Sequence, residues 1–313
     1  MPVVLDPDAA AVYKAFQEAG RPPYETLTAD EARAYYMQAR IVSNPEPPAL
    51  ASVAPLDIPS PAGTIPARVY TPNRLRKSDG LSPALVFFHG GGWVIGNLET
   101  HDVVCRKLAD AGETIVISVD YRLAPEHPFP AAVEDAIAAT TWVAGQAQLG
   151  IDASRLFVGG DSAGGNLAAV VALAARDGDG PRLAGQVLIY PATDFSRRHA
   201  SHREPETSVL LTHTVIGWFM NHYLGNADIA DWRASPARAS TLAGLPPAYV
   251  LTAGADPLRD EGDEYAARLK SAGVSVTYRH FPGQFHGFFT MGKLLPQAHV
   301  AADEIGAWLK AQN

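Results

Sequence analysis

The chain has 313 residues, 47% of them hydrophobic, enough to bury the core of one sizeable domain with insertions. Its 25 Lys and Arg stand against 33 Asp and Glu, and the resulting net charge of −8 disfavours a nucleic-acid partner. A single cysteine, Cys105, excludes an intrachain disulfide. Residues 1–8 lack the basic start and apolar run of a leader, and no apolar stretch reaches membrane-spanning length, so a cytoplasmic protein without stable membrane insertion is expected.

Residues 6–42 read as two helices broken at Gly20-Arg21-Pro22-Pro23, followed by a proline-rich linker over 44–48. Strands are expected near 52–58 and 64–70, then at 83–88, where a buried apolar run ends in His89-Gly90-Gly91-Gly92-Trp93. Helices over 99–111 and 131–149 flank a strand at 114–119. A strand at 155–159 runs into Gly160-Asp161-Ser162-Ala163-Gly164 and an Ala/Leu-rich helix. After a strand at 186–190, residues 193–239 form an insertion whose Val209, Leu210, Val215, Ile216, Trp218, Phe219, Met220 and Tyr223 make an apolar stripe at roughly helical spacing. Strands at 248–254 and 274–281, a loop over 282–285, and helices near 259–271 and 298–311 complete the pattern. Strand–helix alternation of this kind predicts an α/β fold with a mostly parallel sheet flanked by helices. Residues 49–192 and 240–313 would form the body. Residues 1–48 and 193–239, too apolar to stand free, would form a helical cap. The last two strands are expected at a sheet edge, where pairing between subunits would give a homodimer.

Strand, G-x-S-x-G, helix is the nucleophile elbow, in which a sharp turn lifts a serine hydroxyl above the sheet and aims the next residue's amide at an oxyanion. A phosphate-binding loop has similar glycine spacing in Gly160 and Gly165, but Asn166 occupies the position its lysine needs. Three consecutive glycines are entropically costly, so Gly90, Gly91 and Gly92 point to a place where backbone N–H groups must approach a reacting atom unobstructed. With Ala163 they form the candidate oxyanion hole: Gly91, Gly92 and Ala163 as donors, Gly90 as a substitute.

Elbow enzymes present their triad in the order serine, acid, histidine, which places base and acid after Ser162. Asp256 and His286 each fall just past a strand's carboxyl end, the edge where open α/β sheets bind ligands. Among ten histidines, His280 lies inside an alternating strand and suits a face position. His199, His202, His213 and His222 fall in the insertion and read as solvated; His101, His127 and His299 carry no partner signal; His89 reads as a brace for the glycine loop. Asp260 and Asp263 compete with Asp256 but suit the first turns of a helix through its dipole. Cys105 reads as a small buried hydrophobe. No cluster has metal-ligand spacing, and no cofactor is expected.

His89-Gly90-Gly91-Gly92, Gly160-Asp161-Ser162-Ala163-Gly164-Gly165, Asp256-Pro257-Leu258-Arg259-Asp260, His286-Gly287-Phe288 and the stretch from Asp120 to Ala132 together resemble the hormone-sensitive lipase family of carboxylesterases. The likeness is to its bacterial, GDSAG branch within the α/β-hydrolases. It spans nearly the whole chain and departs at no catalytic position; the plant hormone receptors of this fold lack the triad histidine that His286 supplies. The resemblance implies an eight-stranded sheet, a two-part cap and hydrolysis of short- to medium-chain acyl esters, small molecules bound in a pocket to which some of Tyr13, Phe16, Leu210, Leu211 and Phe219 would contribute. A lipase for long acylglycerols and a non-catalytic small-ligand module are the competing readings.

Overall fold

The structure, a computed structural model, describes residues 3–312. Eight strands form one sheet: β1 (Ser52–Ser60), β2 (Gly63–Thr71), β3 (Ser82–Phe88), β4 (Ile115–Val119), β5 (Ile151–Asp161), β6 (Gly185–Ile189), β7 (Ala248–Ala255) and β8 (Val276–Phe285). Their spatial order is β1-β2-β4-β3-β5-β6-β7-β8. The β1–β2 hairpin joins β4 antiparallel, and every pairing from β4 to β8 is parallel. The central strands are buried on both faces, which is why β3, β4 and β7 read as continuous apolar runs rather than alternating ones.

The faces are covered by α3 (Asp102–Gly112), α4 (Ala131–Ala144), α5 (Ala163–Arg176), α7 (Arg259–Ser271) and α8 (Gln297–Ala311). One core cluster gathers Val86, Phe88, Ile117, Val158, Leu167 and Leu188 on the α4/α5 side, and a second gathers Leu85, Phe87, Phe157, Leu251, Ile305 and Leu309 on the α3/α8 side. Cys105 is buried in the second cluster, and burial pushes its thiol well above the usual range, as expected of an inert hydrophobe.

Two segments leave this body: α1 (Pro7–Glu18) with α2 (Ala29–Ser43), and the insertion with α6 (His213–Tyr223). A capping box starts α2, Thr28 Oγ1 accepting from Glu31 N while the Glu31 carboxylate accepts from Thr28 N at 2.9 Å. Arg33 then clamps α2 to the body. Its guanidinium donates to both oxygens of Glu126 at 2.8 and 2.6 Å and to the carbonyls of Val94 and Ala124. The insertion is held by Trp93, which stacks on Tyr223 at 4.4 Å and 4°. Asn166 adds a second anchor, donating through Nδ2 to the carbonyls of Ala192 and Ala234.

Several expectations need correction. Residues 282–285 are not a loop: β8 continues to Phe285 beyond a register shift opposite Ala253 and Ala255, where β7 and β8 approach so closely that a Cβ on Gly254 would lie 2.0 Å from the Pro282 carbonyl oxygen. The insertion is α-helical only over α6, with single 3₁₀ turns at Pro205–Thr207 and Pro236–Arg238, because residues 193–212 spend their hydrogen bonds on turns and on α7. Helix α3 starts at Asp102 rather than 99, since the Asn97 carbonyl oxygen Oδ1 takes the N–H groups of Glu99 and Thr100 into a turn. Helix α4 stops at Ala144, before Gly145. Of the last two strands β8 alone lies at a sheet edge; β7 pairs on both sides.

The contact of α3 with α8 gives a direct test of packing. A Cβ on Gly306 would lie 2.5 Å from the Ala111 carbonyl carbon. Helix propensity favours Gly306→Ala by about 1 kcal/mol, but forcing two backbones apart costs about 1–3 kcal/mol. The variant is therefore expected to be less stable in urea denaturation, not more.

Candidate active site

Strand β5 delivers Ser162 at φ 56° and ψ −116°, a left-handed conformation that a non-glycine residue holds only under constraint. The constraint is the close approach of α5 to β3. A Cβ on Gly164 would sit 1.8 Å from the Phe88 carbonyl oxygen, and one on Gly160 2.4 Å from the same atom. Ser162 N donates to the Ile189 carbonyl at 2.8 Å, which fixes the turn to β6.

The hydroxyl meets its partners in hydrogen-bonding range. His286 Nε2 lies 2.9 Å from Ser162 Oγ, and His286 Nδ1 lies 2.7 Å from Asp256 Oδ2. Asp256 is fully buried, and its other oxygen accepts from Leu258 N at 2.8 Å, so the carboxylate is aimed before any substrate arrives. The imidazole rests against the Tyr190 ring, with centroids 4.7 Å apart. Tyr190 is itself backbone-strained at φ 34° and buried.

The glycine loop after β3 supplies the second half. Gly91 and Gly92 have φ of 126° and 58°. A Cβ on Gly91 would strike the Ile95 carbonyl oxygen at 2.1 Å, and one on Gly92 would enter the Phe219 ring at 2.2 Å. Among the described residues no acceptor takes the N–H of Gly91, Gly92 or Ala163, so these donors remain open. Gly90 differs. Its N–H is already donated to Asp161 Oδ1 at 2.9 Å, which removes it from the expected oxyanion set.

That bond exposes residues the motifs did not single out. The Asp161 carboxylate, buried between elbow and loop, lies 3.2 Å from His101 Nε2. Burial opposes its charge, yet His101 and the Gly90 N–H together hold its carboxyl below the usual range. His101 thus has a buried partner that its position did not announce. His89, the expected brace, stacks on Tyr121 at 4.4 Å and places Nδ1 2.9 Å from the Gly90 carbonyl, to which its N–H donates. His280 faces Thr252 instead, at 2.9 Å.

His199 and His202 are not solvated: His202 Nε2 sits 3.0 Å from Glu261, whose other oxygen accepts from Thr193 N, so this pair pins the insertion to α7. The signal for His202 was Glu261, an acid buried on the inward face of α7. His213 is exposed, His222 packs edge-on to Trp218, and His299 donates from Nε2 to the Gly292 carbonyl with its Nδ1 facing the Lys107 ammonium.

Over Ser162 lies a cavity of about 470 Å³. Tyr13, Phe16, Leu210, Leu211 and Phe219 all border it, as do Met220 of the insertion's apolar stripe and Tyr36 and Arg40, which the sequence did not single out. Both excursions from the body therefore roof the serine. Among the described residues no group of His, Cys, Asp or Glu could hold a metal ion, and no helix is long and apolar enough to cross a membrane.

The α/β-hydrolase fold family matches residues 85–290. A carboxylic ester hydrolase of Mycobacterium tuberculosis, LipN, is 45% identical over 88% of this chain and 74% of its own. An ethyl acetate hydrolase of Pseudomonas putida is 40% identical over 94% and 95%. An α/β-hydrolase enzyme from the metagenome of Lake Arreo superposes with a TM-score of 0.93 at 45% identity, covering 98% of each chain. An esterase of Pyrobaculum calidifontis superposes at 0.87 with 39% identity over 98% of each.

Burial drives His89 from its ordinary 6.5 to about 3, the neighbouring His101 adding to the effect. The unfolded chain therefore binds a proton that the folded one refuses. His89's contribution is complete above pH 6.5 and is lost as pH falls towards about 3. Urea titrations across that window should show His89→Gln losing stability less steeply with acid than the wild type.

Proposed function

The chain belongs to the α/β-hydrolase fold family and, within it, to the carboxylic ester hydrolases of hormone-sensitive lipase type, and from that membership we propose that Ser162, His286 and Asp256 carry out two-step acyl transfer. The observation that carries the reading is the unbroken relay from Ser162 Oγ through both nitrogens of His286 to Asp256, with three open amides beside the nucleophile. His286 Nε2 takes the hydroxyl proton as Oγ attacks the ester carbonyl. Asp256 accepts from Nδ1–H, fixing the tautomer and stabilising the imidazolium that forms. The N–H groups of Gly91, Gly92 and Ala163 donate to the developing oxyanion, where one donor is worth about 10²–10³ in rate. The C–O bond to the alcohol then breaks, and the alcohol leaves with the proton held by His286. Water, deprotonated by the same imidazole, attacks the acyl-enzyme; the acid departs and Ser162 regains its proton.

The substrates are small esters with short to medium acyl chains. Supporting this choice over a lipase for long acylglycerols are a roofed cavity within the range of small-molecule sites and relatives that carry esterase names. An insertion pinned at Trp93, Asn166 and Glu261 is also poorly suited to swing open at an oil–water interface. In a p-nitrophenyl ester series kcat/KM should peak at short or medium acyl length with no interfacial activation; a maximum at long chains would favour the lipase.

Ser162→Ala should lower p-nitrophenyl ester turnover by about 10⁴-fold or more while circular dichroism and unfolding midpoint stay near wild type. Wild-type turnover in that variant would end the assignment.

A further inference from the structure

Arg40 lies in the last turn of α2, where a long cation ordinarily reaches solvent or the helix's own terminal carbonyls. Here it is 3% exposed and borders the cavity that holds Ser162 and His286. Its partners are all neutral. Nη1 donates to the Thr290 carbonyl at 3.2 Å and to the Thr290 hydroxyl, and the guanidinium lies over the Tyr36 ring at 4.9 Å. Among the described residues no carboxylate comes within ion-pair distance of it, and its buried Nε has no acceptor. Buried arginines are normally paired, because a desolvated charge with unmatched donors is expensive.

The acids along this cavity do not neutralise it. Asp161 is occupied by the Gly90 N–H and faces His101, while among the described residues Glu25 pairs with no arginine. A second cation adds to the imbalance: Arg21 borders the same cavity, held between the rings of Phe16 and Tyr35 at 5.2 and 5.3 Å, also without a carboxylate partner among the described residues. Most of the remaining wall is apolar. An apolar cavity with one buried, half-used guanidinium is built for a ligand that is mainly hydrocarbon and carries one anionic oxygen group. The planar fork suits a carboxylate, which can accept from two N–H groups at once.

We propose that Arg40 is a specificity residue for esters bearing a free carboxylate, such as monoesters of dicarboxylic acids, whose carboxylate accepts from the guanidinium while the ester carbonyl lies at Ser162. The proposal rests on the acyl-transfer reading above. A purely structural strut from α2 to Thr290 would serve all substrates alike, which gives the test its readout.

The test measures kcat/KM by pH-stat for two matched pairs, with the full chain at neutral pH: monoethyl adipate against ethyl hexanoate, and 4-acetoxybutanoate against butyl acetate. The pairs put the charge on the acyl and the alcohol side. In at least one pair the charged ester should be turned over within about tenfold of its neutral partner, and Arg40→Gln should lower that ratio by about tenfold or more, with Arg40→Lys intermediate. In the wild type alone, charged esters slower by about a hundredfold or more in both pairs would overturn the proposal, as would an Arg40→Gln that slows both members equally. Turnover confined to the neutral esters sinks only this inference. Failure on all four esters sinks the acyl-transfer reading with it.

Discussion

One buried carboxylate ties the catalytic parts together. Asp161 sits at the end of β5, one residue before the proposed nucleophile Ser162, and accepts the N–H of Gly90 from the loop after β3. Elbow and oxyanion loop come from parallel neighbours in the sheet, but pairing alone does not fix how two glycine-rich loops face each other. The hydrogen bond does, in a dry environment where a charge-assisted contact is strong. It also occupies the N–H of Gly90, while Gly91 and Gly92 border the cavity.

Around this junction, strain is placed where it is useful and is held by packing. Ser162, Trp93 and Tyr190 all adopt positive φ, and all lie within a residue of an open amide, the triad or its support. The surrounding glycines cannot carry even a methyl group without displacing Phe88, Ile95 or Phe219. Phe219 comes from the insertion, so the roof is in contact with the oxyanion loop itself. Shape of cavity and position of donors are thereby coupled, and a change in the roof is felt at Gly92.

Much of this was legible from local rules. The elbow, the glycine run and the order of serine, acid and histidine are short-range patterns whose chemistry demands particular residues, so Ser162, Asp256 and His286, which the structure brings into one hydrogen-bonded line, could be named as candidates before any fold was known. The α/β alternation likewise followed from apolar runs and helix punctuation. What escaped depends on contacts distant in sequence. His101 meets Asp161, and His202 meets Glu261, only because the sheet brings their loops together. Gly90 looked equivalent to its neighbours until an acceptor from another strand claimed its N–H. Pro282 and Gly283 read as a loop by composition, yet they lie in an edge strand, where a missing N–H or side chain costs little. Arg40 had the ordinary look of a helix-terminal cation, and only the structure shows it buried with no carboxylate in ion-pair range among the described residues.

The central claim is that one hydroxyl, made nucleophilic by its neighbours, performs the chemistry. Labelling with a fluorophosphonate followed by peptide mass mapping tests it most directly. The account predicts a single adduct on the peptide containing Ser162, formed in step with loss of esterase activity. An adduct on a different residue, or full inhibition with Ser162 unmodified, would contradict it.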